Sequence, residues 1–194
     1  MVRLYCIFVI SLFCLGCGFQ EKDINDEFDN PLGNIDSDCG LPAMIFKPST
    51  HYLVPNEEFS APLFLSDSLE SDQLYGGFRA TVFFDPNVLD LRDVRSSQFN
   101  ENVNSMFFVD SSESGRIEIV GVFIDQVNLG AQGSNNVELA EFDFKVIGEG
   151  NDTLRLSRTF VEDCQTVSEG CELVDPDDNI IEIKSYTDAI IRAN

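Results

Sequence analysis

The sequence contains no tryptophan and a single histidine, and these two scarcities exclude whole classes of site. Flat aromatic rings are what a protein stacks on sugars, and beyond the N-terminal segment the tyrosines are Tyr52, Tyr75 and Tyr186. The sequence therefore has few rings from which an aromatic platform for polysaccharide could be built. The lone His51, beside Tyr52, rules out a multi-histidine site, and we expect it at the edge of a strand.

Positive charge is also scarce. Twelve Lys and Arg residues face 34 Asp and Glu residues, which gives a net charge of −22. Such a chain repels phosphate backbones and anionic lipid surfaces, so we expect no nucleic-acid partner. Calcium is the cofactor that this acidity would tolerate best, but the sequence contains no complete calcium-binding motif.

Groups for catalysis are equally hard to find. A hydrolase needs a nucleophile with a base, a positioned carboxylate pair or a metal site. Carboxylates are so abundant here that a pair carries no information. The acidic run 175–179 is typical of a solvated hairpin turn because it contains Pro176, although Asp175, Asp177, Asp178 and Asn179 are an alternative cation site. We therefore predict that the chain is not an enzyme, and we assign no cofactor and no metal ligand.

The first seventeen residues have the plan of an export signal. Met1 and Arg3 give a basic start, residues 4–15 are apolar apart from Ser11, and Gly16 leads into Cys17. An apolar run of this length is too short for a stable membrane span. Residues 1–17 resemble a bacterial lipoprotein signal peptide, and the resemblance implies that Cys17 is the lipidation site.

That resemblance implies an exported protein held on the cell envelope by acyl chains, which would be its only contact with a membrane. Gly18 follows the cysteine, and in Gram-negative lipoproteins the absence of Asp at this place goes with delivery to the outer membrane. The alternative is a secreted soluble protein, cleaved after Gly18, with Gly16 and Gly18 as the small pair.

Residues 18–42 are polar and acidic, with Pro31, Gly33 and Gly40 as breakers. Nothing in this segment has the periodicity to bury a face, so we interpret it as a flexible tether. The folded domain is expected to occupy residues 43–194.

From residue 43 onward, short stretches alternate apolar and polar residues as β-strands do. The clearest apolar positions are Phe59, Ala61, Leu63 and Leu65; Phe78, Ala80, Val82 and Phe84; Ala140, Phe142, Phe144 and Val146; and Leu154 and Leu156. Pro62 is expected at an edge or a bulge because it cannot donate to a ladder. Residues 116–124 have apolar residues at both odd and even positions, which indicates a central strand. Its inward face stays unassigned. About nine such strands without an amphipathic helix predict an all-β sandwich.

Alternation on the strand that carries Phe78 places Arg79, Thr81 and Phe83 together on its outward face. A phenylalanine beside an arginine is the composition of an interface anchor, although a single exposed apolar residue is also common. We predict these three as candidate partner-binding residues.

Three cysteines remain in an oxidising compartment once the signal and Cys17 are set aside. They are Cys39, Cys164 and Cys171. The shortest loop joins Cys164 to Cys171, with Glu169 and Gly170 offering a turn, and this is the predicted disulfide. A bridge from Cys39 to either of the other two stays open as an alternative.

Several stretches, in order, resemble the cohesin domain. Residues 54–63 (VPNEEFSAPL) are similar to its opening strand pair. Residues 76–89 (GGFRATVFFDPNVL) are similar to its most diagnostic strand and turn, with Phe84 in place of Tyr. Residues 139–148 (LAEFDFKVIG) and 150–156 are similar to later strands of the domain. The resemblance covers about residues 44–192.

The resemblance implies a nine-stranded jelly-roll sandwich, related to cellulose-binding modules. Because cohesins bind dockerins, we expect a surface-anchored binding module for a protein partner, either dockerin-like or an envelope protein. The related modules bind polysaccharide, so a carbohydrate-binding envelope protein is the alternative. Asp85, followed by Pro86, is expected to accept hydrogen bonds from turn amides and not to hold a ligand.

Overall fold

A computed structural model describes residues 39–68, 71–96, 105–127, 136–162, 165–168 and 170–194. The predicted signal peptide, Cys17, most of the predicted tether and Cys164 lie outside the described residues. The described residues form fifteen strands. They include no helix with the length and apolar character needed to cross a membrane.

The strands run in this order along the chain: β1 (Ala43–Phe46), β2 (Thr50–Leu53), β3 (Glu58–Ser66), β4 (Tyr75–Phe83), β5 (Leu89–Arg95), β6 (Ser105–Asp110), β7 (Arg116–Val127), β8 (Asn136–Val146), β9 (Gly150–Leu156), β10 (Arg158–Glu162), β11 (Gln165–Ser168), β12 (Glu172–Val174), β13 (Ile180–Ile181), β14 (Ser185–Thr187) and β15 (Ala189–Ala193).

Two sheets enclose one hydrophobic core, to which both contribute buried residues. The five-stranded sheet has the order β14-β1-β3-β8-β5. The eight-stranded sheet has the order β13-β12-β4-β9-β15-β2, with β7 paired to β4 and β6 paired to β7. The short strands β10 and β11 form a separate hairpin. The chain is therefore the all-β sandwich that the alternation predicts.

The first and last strands each pass from one sheet to the other. β1 lies in the five-stranded sheet and β2 in the eight-stranded sheet, and β14 and β15 do the same across the single residue Asp188. β1 runs parallel to β14, and β2 runs parallel to β15. When each interrupted pair counts as one strand, nine strands make the sandwich. Residues 158–181 add the hairpins β10–β11 and β12–β13.

The apolar positions that alternation selects are confirmed as core residues. Phe59 and Phe84 are partly buried and pack against the core; the other twelve are buried, namely Ala61, Leu63, Leu65, Phe78, Ala80, Val82, Ala140, Phe142, Phe144, Val146, Leu154 and Leu156. Pro62 lies one residue before a bulge at Leu63 and Phe64, beyond the end of β1. The predicted central strand is β7, which lies between β4 and β6.

The predicted disulfide between Cys164 and Cys171 is wrong, because Cys171 carries a thiol that lies in the core. Its Sγ lies 3.9 Å from the carbonyl oxygen of Thr81. Burial raises the pKa of this thiol to about 11. Cys39 is disulfide-bonded, and its partner is not among the described residues. The spacing argument failed because it weighed loop length without knowing that Cys171 faces the interior.

Candidate protein-binding face

Four apolar side chains of β6 and β7 point away from the core. In the register of these strands, Met106 lies opposite Val122 and Phe108 lies opposite Val120. Directly paired residues point to the same side of a sheet, and alternate residues point to opposite sides. Ile119 on β7 is fully buried, so its neighbour Val120, with Val122 and their partners on β6, faces outward.

The apolar row continues across the sheet to β12 and β13. Val122 lies opposite Gly77 on β4, Gly77 lies opposite Val174, and Val174 lies opposite Ile180. We call this surface the outer patch; its members are Met106, Phe108, Val120, Val122, Val174 and Ile180. Gly77 has no side chain to interrupt the row, and a Cβ there would lie 2.9 Å from the carbonyl oxygen of Gly121.

Four side chains of the outer patch are exposed and two are half-buried; the exposed ones are Met106, Phe108, Val122 and Ile180, and the half-buried ones are Val120 and Val174. Phe108 is 59% exposed, Met106 is 52% exposed and Ile180 is 76% exposed. Phe107, which lies between Met106 and Phe108 on β6, packs against the core on the opposite side of the strand. Contiguous exposed apolar residues mark an interaction site far more often than single ones do.

Charged pairs border the patch on β4 and β7. One oxygen of Glu118 accepts a 2.8 Å hydrogen bond from Nε of Arg79, and the other accepts a 2.6 Å bond from Nη2 of Arg116. At the end of β6, hydrogen bonds from Ser112 hold the pKa of Asp110 below its usual range. Apolar residues at the centre with charged residues at the rim form the arrangement of a protein interface.

The predicted binding residues Arg79 and Phe83 do lie on this face. Arg79 is half-buried and lies opposite Val120 of the patch. Phe83 is also half-buried, and the guanidinium carbon of Arg155 lies 5.4 Å from its ring centroid. Both side chains are accessible to a partner in part.

Thr81, the third predicted binding residue, is covered and cannot contact a partner. It is 2% exposed, and a Cβ on Gly170 would lie 2.8 Å from its Oγ1. Its Oγ1 has no hydrogen-bond partner among the described residues. Alternation gave the correct side of β4, but the segment that begins at Gly170 lies over it.

Sequence reasoning missed Met106, Phe108, Val120 and Val122. Residues 119–123 of β7 have no polar side chain on either face, so periodicity alone did not separate the outward Val120 from the inward Ile119. The available signal was on the neighbouring strand. Pairing Phe107 with Gly121 would have set the register and the exposed side.

Asp85 has the structural role that its turn predicts. Its Oδ1 accepts hydrogen bonds from the backbone and side-chain nitrogens of Asn87, both at 2.8 Å. Its carbonyl oxygen accepts bonds from the amides of Val88 and Leu89. Both acceptors therefore serve the turn between β4 and β5.

The acidic run at 175–179 is the turn of the β12–β13 hairpin. Oδ1 of Asp175 accepts 2.8 Å hydrogen bonds from the amides of Asp177 and Asn179. The side chain of Asn179 donates to its Oδ2, and these bonds lower the pKa of Asp175. No group of three or more metal-ligating side chains occurs among the described residues.

His51 lies on β2, which is the edge strand of the eight-stranded sheet. Its ring packs 5.0 Å from the ring of Phe59, and burial lowers its pKa. The tyrosines offer little sugar-binding surface, because Tyr75 and Tyr186 are buried and Tyr52 is exposed. The hydroxyl of Tyr75 donates a 2.7 Å hydrogen bond to Asp67.

Comparisons with solved structures find cohesins. The cohesin CaCohA2, in complex with the dockerin CaDoc0917, superposes with a TM-score of 0.59 at 17% identity, over 78% of this chain and 99% of the cohesin. CaCohA2 comes from Clostridium acetobutylicum. A cohesin module of a family 33 glycoside hydrolase from Clostridium perfringens gives 0.56 at 12% identity, over 78% of this chain and 97% of that module.

A type II cohesin from the cellulosome of Acetivibrio cellulolyticus gives a TM-score of 0.54 at 16% identity, over 77% of this chain and 92% of that domain. No protein-family model and no curated protein matches the chain. The likeness in structure extends over most of the described residues and nearly the whole of each cohesin. The chain has a cohesin-like β-sandwich fold.

Proposed function

We propose that this chain is an exported lipoprotein, anchored through Cys17, which presents a cohesin-like module that binds a protein partner through the outer patch. The observation that carries the proposal is the patch itself, in which Met106 and Phe108 stand more than half exposed on a paired sheet. A chain with a net charge of −22 has ample polar residues to cover such a surface. Because the outer patch is apolar all the same, we infer that a partner protein covers it.

The composition of the face fits a protein. Aromatic residues, methionine and arginine are enriched in protein interfaces, and all three occur here as Phe108, Met106 and Arg79. Fully covered apolar anchors surrounded by polar contacts supply most of the binding free energy in such interfaces. Solved cohesins with this fold occur in complexes with dockerins, which supports a dockerin-like protein as the first partner to test.

Polysaccharide binding has less support. Of the tyrosines in the described residues, Tyr52 alone is exposed, and the guanidinium carbon of Arg192 lies 5.9 Å from its ring centroid. The outer patch itself offers one fully outward ring, that of Phe108. A single ring beside aliphatic side chains does not make the flat aromatic platform that a sugar chain stacks on.

The test compares two aromatic residues of equal exposure. Phe108 is 59% exposed and Tyr52 is 60% exposed, so Phe108→Ser and Tyr52→Ser remove similar accessible surface from different places. Both variants and the parent chain are measured by biolayer interferometry against purified dockerins and against proteins purified after capture from envelope and secreted fractions. A glycan array is run beside them.

Saturable binding of a purified protein, weakened about tenfold or more by Phe108→Ser and retained by Tyr52→Ser, supports the proposal. Glycan binding that Tyr52→Ser abolishes and Phe108→Ser preserves contradicts it. Equal binding of a protein by all three chains also contradicts the proposed site. Circular dichroism spectra identical to the parent establish that neither variant is unfolded.

A further inference from the structure

Arg155 is an exposed arginine on β9 whose guanidinium forms no ion pair with any described residue. Acidic residues outnumber basic ones by 34 to 12 in this chain, so an unpaired arginine is unexpected. Five other arginines each lie within 4.0 Å of at least one carboxylate, namely Arg79, Arg92, Arg95, Arg116 and Arg158.

The position of Arg155 connects it to the proposed binding face. In the sheet register Phe83 lies opposite Arg155 on one side and opposite Arg116 on the other. The guanidinium of Arg155 lies over the Phe83 ring, 5.4 Å from the centroid. A cation over a ring is held there by the electrons of its face, and the N–H donors of the guanidinium stay available. None of them bonds to a described residue.

We infer that the protein partner presents an Asp or Glu carboxylate to Arg155, beside the apolar group that covers the outer patch. This inference rests on the proposed function, because it names the chemistry of the partner at the same face. A planar guanidinium with parallel N–H donors matches a carboxylate in a two-bond arrangement. The Phe83 ring fixes the guanidinium before the partner arrives, so less side-chain entropy is lost on binding.

The net charge of the chain restricts the kind of partner surface that can carry this carboxylate. A partner that is acidic overall would be repelled by a net charge of −22. The carboxylate is therefore an isolated acidic residue on a neutral or basic surface. Arg79 and Arg116 share Glu118 and do not offer the same unoccupied site. Arg155 thus selects among partners that could all cover the outer patch.

The experiment uses a phage library built on the dockerin that binds CaCohA2, with its exposed positions randomised. The library is selected against the immobilised parent chain and against the variants Arg155→Gln, Arg92→Gln and Phe108→Ser. Arg92 is the control, because it is also an exposed arginine but lies on β5 of the other sheet. Selected clones are sequenced, and the frequency of Asp and Glu at each position is compared with the starting library.

Among clones selected on the parent chain and on Arg92→Gln, we expect the frequency of Asp or Glu to rise about threefold at one position of the library. Among clones selected on Arg155→Gln we expect no such rise. Clones recovered without this enrichment, or with the same enrichment on Arg155→Gln, overturn the inference and leave the proposed function standing. Recovery on the parent chain no greater than on Phe108→Ser overturns the proposed function and the inference with it.

Discussion

Asp188 and Arg158 form an ion pair in the interior of the sandwich, at the residue that separates β14 from β15. The two carboxylate oxygens accept hydrogen bonds of 2.8 and 3.2 Å from Nη1 and Nη2 of Arg158. The side chains are 3% and 8% exposed. Asp188 also accepts a 2.9 Å hydrogen bond from the amide of Leu156, so it ties the corner of the last strand to β9.

Asp188→Asn should lower the free energy of unfolding by about 3 to 5 kcal/mol, because it leaves the charge of Arg158 buried without a counter-ion. The measurement is urea unfolding followed by circular dichroism. Asp90→Asn is the control, since Asp90 pairs with Arg92 at 3.0 Å where both side chains are more than 40% exposed. That change should cost less than about 1 kcal/mol. Equal losses would refute the interior role of the Asp188 pair.

The thiol of Cys171 should make the fold less stable in alkali. Its folded-state pKa is about 11, against a reference value of 9.0, so the folded chain holds its proton after the unfolded chain has released it. The stabilisation is fully present below about pH 9 and disappears as the pH rises to about 11, a change of roughly 2 to 3 kcal/mol. Cys171→Ala should lose less stability over this interval. Parallel curves for the two chains would show that the thiol titrates normally.

Peptide mapping without reduction should find Cys171 as a thiol that alkylates only after unfolding. Cys39 should be recovered in a disulfide. If the signal is removed and Cys17 is acylated, Cys164 is the cysteine that remains to pair with Cys39. Mass spectrometry of the linked peptides checks this pairing, and a Cys164–Cys171 peptide would contradict the structure.

Acylation of Cys17 should determine where the protein fractionates. Cys17→Ser should move the chain from the membrane fraction to the soluble fraction and abolish labelling with a fatty-acid analogue, because several acyl chains hold a protein on a bilayer stably. Cys39→Ser leaves Cys17 in place and should keep the label. Equal labelling of the parent chain and Cys17→Ser would exclude lipidation at this residue.

Local periodicity was sufficient for much of the fold. The strands that carry Phe78, Phe142 and Leu154 alternate because one face is buried, and each of these residues lies in the core. Proline at position 62 correctly indicated an irregular place in its strand. These features depend on neighbours within a few residues, which a sequence pattern records directly.

What the sequence did not reveal depends on contacts between distant segments. Thr81 alternates to the outward side, yet it is buried because a segment almost ninety positions later, at Gly170 and Cys171, lies over it. The outer patch escaped notice because Val120 and Val122 on the outward side of β7 are as apolar as their inward neighbours. Only pairing with β6 and β4 distinguishes the two sides.

The parallel pairing of β2 with β15 has a consequence for how the sandwich folds. Among the described residues β2 has one ladder partner, β15, and the paired residues Thr50 and Ile190 are 140 positions apart. β2 therefore cannot complete its ladder until β15 has been synthesised. Contacts over so long a sequence distance slow folding. We therefore expect the β2–β15 edge to be among the last parts of the sandwich to form.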